Sequence, residues 1–160
     1  MYEITMKEEF MRRAIQLARN GMRAGDGGPF GAVIVRDTEI IGEGWNRVLA
    51  TNDPTAHGEI VAIRDACTHM QSFSLAGCEI YSSCEPCPLC LAAIYWAHLD
   101  RIHYAADCDD AAAAGFDDRA FYAEFAKSRA DRRIPMDQAL HEEARAVLRE
   151  WAVKPDRIQY

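Results

Sequence analysis

From Met6 to Arg23 the apolar residues return every three or four positions. Phe10, Met11, Ala14, Ile15, Ala18, Gly21 and Met22 share one stripe, with Lys7, Glu8, Arg12, Arg13, Arg19 and Arg23 around it. That period predicts an amphipathic helix over residues 6–23, ended by Gly25-Asp26-Gly27-Gly28-Pro29. The period then shortens: Ala32–Arg36 and Glu39–Trp45 read as strands of a hairpin turning at Asp37-Thr38. A loop, Asn46–Thr55, leads to a helix from about His57 to Met70. Cys78–Ser83 is a short strand, residues 88–98 form an apolar helix, and Arg101–Ala106 is another strand. Then come an Ala-rich turn (108–114), a helix near 118–129, an extended link at Ile134-Pro135 and a helix over 138–152. Leu140, Ala144, Val147, Leu148 and Trp151 on that last helix require a surface to pack on.

The order α-β-β-α-β-α-β predicts an α/β layered domain with helical crossovers. With no internal repeat or second domain visible, residues 1–160 read as one domain, 131–160 being a C-terminal extension. The longest apolar run, Cys90–Ala97, is too short for a bilayer. The stretch MYEITMKEEFMRR lacks the apolar core of a secretory signal, so a cytoplasmic protein without membrane contact is expected. In that compartment six cysteines point to metal or catalysis before disulfides. A net charge of −7 with no Lys/Arg run argues against a nucleic-acid partner.

Cysteines 84, 87 and 90 stand at intervals of three, and His57-Gly58-Glu59 follows Asp53-Pro54-Thr55-Ala56. Asp53 or Thr55 could cap the first helix with Pro54 in its opening turn, and Pro88 suits the first position of the second. Cys87 and Cys90 then share one face at a helix start, and His57 and Glu59 lean back towards another. Unpaired N–H groups at the two helix starts favour thiolates. One histidine and two thiolates make a three-ligand zinc site, which leaves a position open for water and so marks a catalytic centre. Glu59 is placed to act as base on that water.

Other readings of these residues are weaker. A redox pair lacks a thioredoxin-like context. An iron–sulfur motif needs a fourth cysteine at position 94, where Ile94 stands. A structural zinc site with Cys84 as fourth ligand leaves Glu59 unused. Cys84 is expected beside the metal but off it, Cys67, Cys78 and Cys108 as buried apolar residues, and His69, His98, His103 and His141 as surface or packed side chains.

His57-Gly58-Glu59 with Pro86-Cys87-Pro88-Leu89-Cys90 matches the H-x-E…P-C-x-x-C signature of zinc nucleobase deaminases. The chain resembles this cytidine/deoxycytidylate-type superfamily and, within it, the bacterial guanine deaminases. The discriminating pieces are Gly28-Pro29-Phe30-Gly31-Ala32, Asn52–His57, Ser83–Cys87, Ala93–Ala97, Ala114–Asp118 and Tyr160. The resemblance implies a three-layer α/β/α fold with a mixed five-stranded sheet. It also implies hydrolysis of guanine to xanthine and ammonia in purine catabolism, and one zinc per subunit on His57, Cys87 and Cys90. Glu59 would be the proton shuttle and Asp118 a second catalytic carboxylate at the leaving amino group. Phe30, Asn46, Trp96 and Tyr160 would bind the base, in a homodimer that swaps C-terminal segments. A guanosine or s-triazine (ammeline) deaminase is the alternative on the same scaffold, a tRNA adenosine deaminase a more distant one, and a structural-zinc binding protein the non-enzymatic one.

Overall fold

A computed structural model of the protein describes residues 7–160; Met6, the expected start of the first helix, lies outside them. The chain divides into two compact units, one ending at Arg119 and one spanning Ala120–Tyr160. In the first, helix α1 (Glu8–Ala24) buries Phe10, Met11, Ala14, Leu17, Ala18 and Gly21 and ends on Gly25 at φ 78°. Met22, expected on the buried stripe, is exposed.

Strands β1 (Gly31–Arg36) and β2 (Glu39–Trp45) form the expected hairpin, with Asp37 at φ 57° in its turn. The loop beyond contains a short helix, α2 (Val48–Thr51), and leads to α3 (Gly58–Met70). Strand β3 (Cys78–Cys84) pairs antiparallel with β1, and α4 (Pro88–Trp96) carries the chain to β4 (Arg101–Ala106), parallel to β3. The sheet, in the order β2-β1-β3-β4, is mixed as expected, but it has four strands among the described residues and not five. After β4 the chain goes straight into helices, and no further extended run follows that could lengthen the sheet.

Alternation along the strands builds two cores. Val33, Val35 and Tyr81 face Phe10, Met11 and Leu17 of α1. Ala32, Ile34 and Ile80 face the other way, onto Ala62 and Ala66 of α3 and Ile94 of α4. This is the expected three-layer α/β/α arrangement. One bulge interrupts it: Val35 pairs with Ile40 and Ile34 with Gly42, so Ile41 is extra and joins the α3 side. A Cβ on Gly44 would lie 2.3 Å from both the Ala62 nitrogen and the Gly58 carbonyl oxygen. Helix α3 thus rests on bare β2 backbone, which brings its first turn down to the sheet.

The Ala-rich segment expected as a turn is instead helix α5 (Cys108–Ala113), because Asp107 and Asp110 form a capping box at its start. Of the cysteines expected to be buried, Cys78 is, whereas Cys67 and Cys108 are half-buried. Helix α6 (Arg119–Ala126) begins at the unit boundary. The second unit continues with a 3₁₀ turn at Arg129–Asp131 and helix α7 (His141–Val153). Within it, the Glu124 carboxylate accepts from Lys127 and from the Arg133 backbone. Leu140, Val147 and Leu148, expected to need a packing surface, are exposed. Among the described residues no helix is long and apolar enough to cross a membrane.

Seating α3 on bare backbone makes a specific demand on β2. Gly44→Ala should destabilise the protein by about 3 kcal/mol through overpacking, read as a lower urea midpoint; an unchanged midpoint would show that α3 does not bear on Gly44.

Candidate metal centre

Helix α3 begins at Gly58 with His57 in the N-cap position, so neither Asp53 nor Thr55 caps it as the sequence suggested. The Asp53 carboxylate is already engaged: it accepts from the Thr55 backbone N–H at 2.9 Å and the Thr55 hydroxyl at 2.6 Å. That local turn leaves Pro54 ahead of the helix and outside its first turn. Helix α4 follows expectation, with Cys87 as N-cap and Pro88 in the first position.

Neither N-cap side chain caps its own helix. Both point to one place, where His57 Nδ1 lies 3.4 Å from Cys87 Sγ and 3.4 Å from Cys90 Sγ. A tetrahedral zinc ion with ordinary Zn–S and Zn–N bonds has an S···N edge of about 3.6 Å. The donor set therefore fits zinc in both identity and spacing. The imidazole also hydrogen-bonds to the Pro54 carbonyl, which fixes the ring.

The electrostatics suit a divalent cation. Hydrogen bonding with Cys90 and then His57 holds the Cys87 thiol down at about 4. The same bond with Cys87, together with burial, pushes Cys90 up. The hydrogen bond with Cys87 raises His57. Metal binding at sites of this kind releases protons.

Glu59, in the first turn of α3, is buried, and that desolvation raises its pKa. Its Oε1 accepts from the Ser82 hydroxyl at 3.1 Å, and its Oε2 lies 3.3 Å from Cys90 Sγ. A carboxylate thus flanks the ligand cluster. Asp118 is a further acid near Cys87: desolvation and then the Cys87 charge raise its pKa, and its Oδ1 is buried without a hydrogen-bond partner among the described residues. Cys84 stays off the cluster, as expected. Its thiol is pushed up to about 11 by burial and donates to the Asp107 carbonyl at 3.6 Å.

Asn46 is buried just after β2; its backbone N–H donates to the Phe30 carbonyl, and its Oδ1 accepts from the Val48 N–H at 3.1 Å. Phe30 meets Phe116 edge-on at 4.9 Å. Trp96 stands at the opposite end of α4 from the cysteines, about 12 Å along the helix axis from Pro88, and is 66% exposed. Tyr160 belongs to the second unit and is 68% exposed. The structure therefore gathers His57, Glu59, Cys87 and Cys90 and brings Asp118 near, but it does not place Trp96 in that cluster. Sequence reasoning missed Ser82 and Phe116. Ser82 left a signal, being a hydroxyl on the apolar stripe Cys78-Ile80-Ser82; Phe116 left none.

Comparison with known proteins gives this geometry a family context. A model of the cytidine and deoxycytidylate deaminase zinc-binding region matches residues 4–106. The chain is 48% identical to the guanine deaminase of Bacillus subtilis, over 96% of this chain and 98% of that one. The X-ray structure of that enzyme superposes with a TM-score of 0.93, covering 98% and 99% of the two chains. A guanine deaminase structure from Nitrosomonas europaea gives a TM-score of 0.66 at 32% identity, over 72% of this chain and 66% of that one. The tRNA-specific adenosine deaminase of Aquifex aeolicus is 37% identical, over 62% of this chain and 66% of its own.

The purified protein should carry about one zinc ion per chain. Cys87→Ser should hold less than about a tenth of that, since it removes one of three ligands; undiminished zinc by elemental analysis would take Cys87 out of the ligand set.

Proposed function

We propose, from the premise that the chain belongs to the cytidine and deoxycytidylate deaminase family, that it is a guanine deaminase, hydrolysing guanine to xanthine and ammonia. One observation carries the choice of base. The likeness to the Bacillus subtilis guanine deaminase runs through 96% of the chain, well past residue 106 where the family region ends.

His57, Cys87 and Cys90 would hold the metal. Bound zinc supplies a Lewis acid that makes water nucleophilic near neutral pH. The remaining work falls to the chain's own side chains. Glu59, buried beside the cluster, takes one proton from the attacking water and delivers it to a ring nitrogen of guanine, N3 by the chemistry. It then takes the second proton from the hydroxyl now on C2 and delivers it to the amino group, which departs as ammonia as the C2 carbonyl forms. Asp118 presents a buried oxygen without a donor, and the exocyclic amino group of guanine supplies N–H donors. Asn46 has its carbonyl oxygen engaged by Val48, so its NH₂ is the part left for acceptors on the purine ring. Phe30 offers a ring for stacking.

Roles for Trp96 and Tyr160 in enclosing the base rest on the resemblance. So does a homodimer with exchanged C-terminal segments. Exposed Leu89, Tyr95 and Trp96 on α4, and Val147 and Leu148 on α7, support assembly, because large apolar residues clustered at a surface mark contacts. We place the enzyme in the cytoplasm, in purine breakdown. A tRNA substrate is disfavoured by the net charge of −7. A purely structural metal would leave Glu59 buried at a cost with no function to offset it.

Ammonia release from guanine, guanosine, adenine, cytosine, cytidine and ammeline tests the reading. Guanine should give the highest kcat/KM; preference for guanosine or ammeline would reassign the pocket, and silence from the zinc-loaded protein would end the proposal. Glu59→Gln should retain zinc and lose about 10³-fold or more in kcat. Near-normal turnover in that variant would remove Glu59 from the chemistry.

A further inference from the structure

We infer that Ser82 is a positioning residue for Glu59, assigning one carboxylate oxygen to anchorage and leaving the other free for proton transfer. The inference rests on the proposed role of Glu59. Along β3 the residues facing α3 are Cys78, Ile80 and Ser82, and the first two belong to the hydrophobic core. Ser82 is 2% exposed, so a hydroxyl has been buried where the pattern of the strand calls for an apolar group. A buried hydroxyl is costly unless it is bonded. Its hydrogen bond to Glu59 Oε1, at 3.1 Å, supplies that partner.

The geometry on the far side of the carboxylate gives the bond its purpose. Glu59 Oε2 is the oxygen beside Cys90, 3.3 Å from its sulfur, and so the one at the metal cluster. The terminal torsion of a glutamate is broad and roughly two-fold, so packing alone leaves the carboxylate plane loosely determined. The Ser82 donor on Oε1, acting with the Cys90 contact on Oε2 and the hydrogen bond from the Glu59 backbone, removes that freedom and keeps Oε2 on the side of the cluster. Ser82 is the third residue from the end of a strand paired on both sides, with β1 through Ala32 and with β4 through Tyr104. The donor is therefore carried by an internal strand of the sheet. Proton transfer requires heavy-atom approaches of about 2.6–3.2 Å, and displacement by about 1 Å can cost about 10²-fold in rate.

Ser83, the next residue, faces the opposite side of the sheet and accepts the Gly31 N–H at 3.0 Å. The two serines thus divide between them the tasks of tying β3 to β1 and of holding Glu59. Of the two serines, Ser82 is the one whose hydroxyl bonds the Glu59 carboxylate.

The test compares Ser82→Thr with Ser82→Val, two β-branched residues of nearly equal volume that differ in the hydroxyl, alongside Ser82→Ala. For each, kcat and KM for guanine, zinc per chain and melting temperature are measured. Val and Ala should lower kcat at least about tenfold with KM within about twofold and zinc unchanged, while Thr stays within about threefold of the parent. Equal kcat for Thr and Val would overturn the inference. So would a loss of kcat that only follows falling zinc content or melting temperature, since that is a structural role. Glu59→Gln, run in parallel, separates this from the reading beneath it. If that variant is silent while every Ser82 variant is active, Ser82 alone is misassigned; if that variant turns over normally, the role of Glu59 fails first.

Discussion

The site depends on two helices that begin at the same point. Helix α3 starts one residue after His57 and α4 one residue after Cys87, and each N-cap gives its side chain to a shared cluster in place of its own backbone. Helix starts carry unpaired N–H groups and a partial positive charge, which is the environment that two thiols and a carboxylate need when taken out of water. The convergence is imposed by the sheet. Parallel pairing of β3 with β4 requires a crossover, and α4 is that crossover, so its first residue must lie just beyond the end of β3. On the other side the glycine backbone of β2 lets α3 settle deep enough for Glu59 to be buried.

The opposite layer ties together the two loops that flank Asn46. The Trp45 indole donates to the Asp26 carboxylate at 2.7 Å, and the Asp26 carbonyl accepts from Leu49 and Ala50 of α2. These bonds pin the glycine-rich turn after α1 to the segment after β2. Between them lies Asn46, pressed so closely on Gly27 that a Cβ there would fall 2.0 Å from Asn46 Oδ1. The glycine run that looked like a simple helix stop is thus also the wall that sets the Asn46 amide. Arg13 of α1 grips the Glu43 carboxylate with two bonds of 2.7 Å, fixing helix to strand beside the same loop.

What could be read from the sequence was whatever local period and local spacing encode. The first helix, the hairpin, the strand–helix–strand that follows it and the candidate ligands His57, Cys87 and Cys90 all have signals within a few residues. The cap of α3 was misread because Asp53 has two competing donors on Thr55, and composition does not say which a carboxylate will choose. The short helix α5 was hidden by its alanines, and its evidence lay in the Asp107–Asp110 pair flanking them. The five-stranded sheet implied by the family resemblance is not reached, because the chain after β4 supplies helices and no further strand. Ser82 needed a tertiary fact, namely that β3 turns that residue towards the first turn of α3.

The limits of the family region bear on where the chemistry and the choice of base are written. The candidate zinc ligands His57, Cys87 and Cys90, with Glu59 and Ser82, all fall inside residues 4–106, the part matched by the deaminase zinc-binding region. Proteins whose names give different substrates, guanine and tRNA adenosine, resemble this chain at 37–48% identity, but the tRNA-specific enzyme covers 62% of it and the guanine deaminase 96%. Asp118, with its buried oxygen awaiting a donor, lies beyond residue 106. A metal centre that only makes water nucleophilic and moves protons has no reason to differ between amino-substituted rings. Discrimination must then come from groups that meet the ring and its substituents, and a buried acceptor left unpaired by the wrong base is a strong discriminator. On the proposed reading, groups that meet the base therefore come from both sides of that limit: Phe30 and Asn46 from within residues 4–106, and Asp118 from the segment after the last strand.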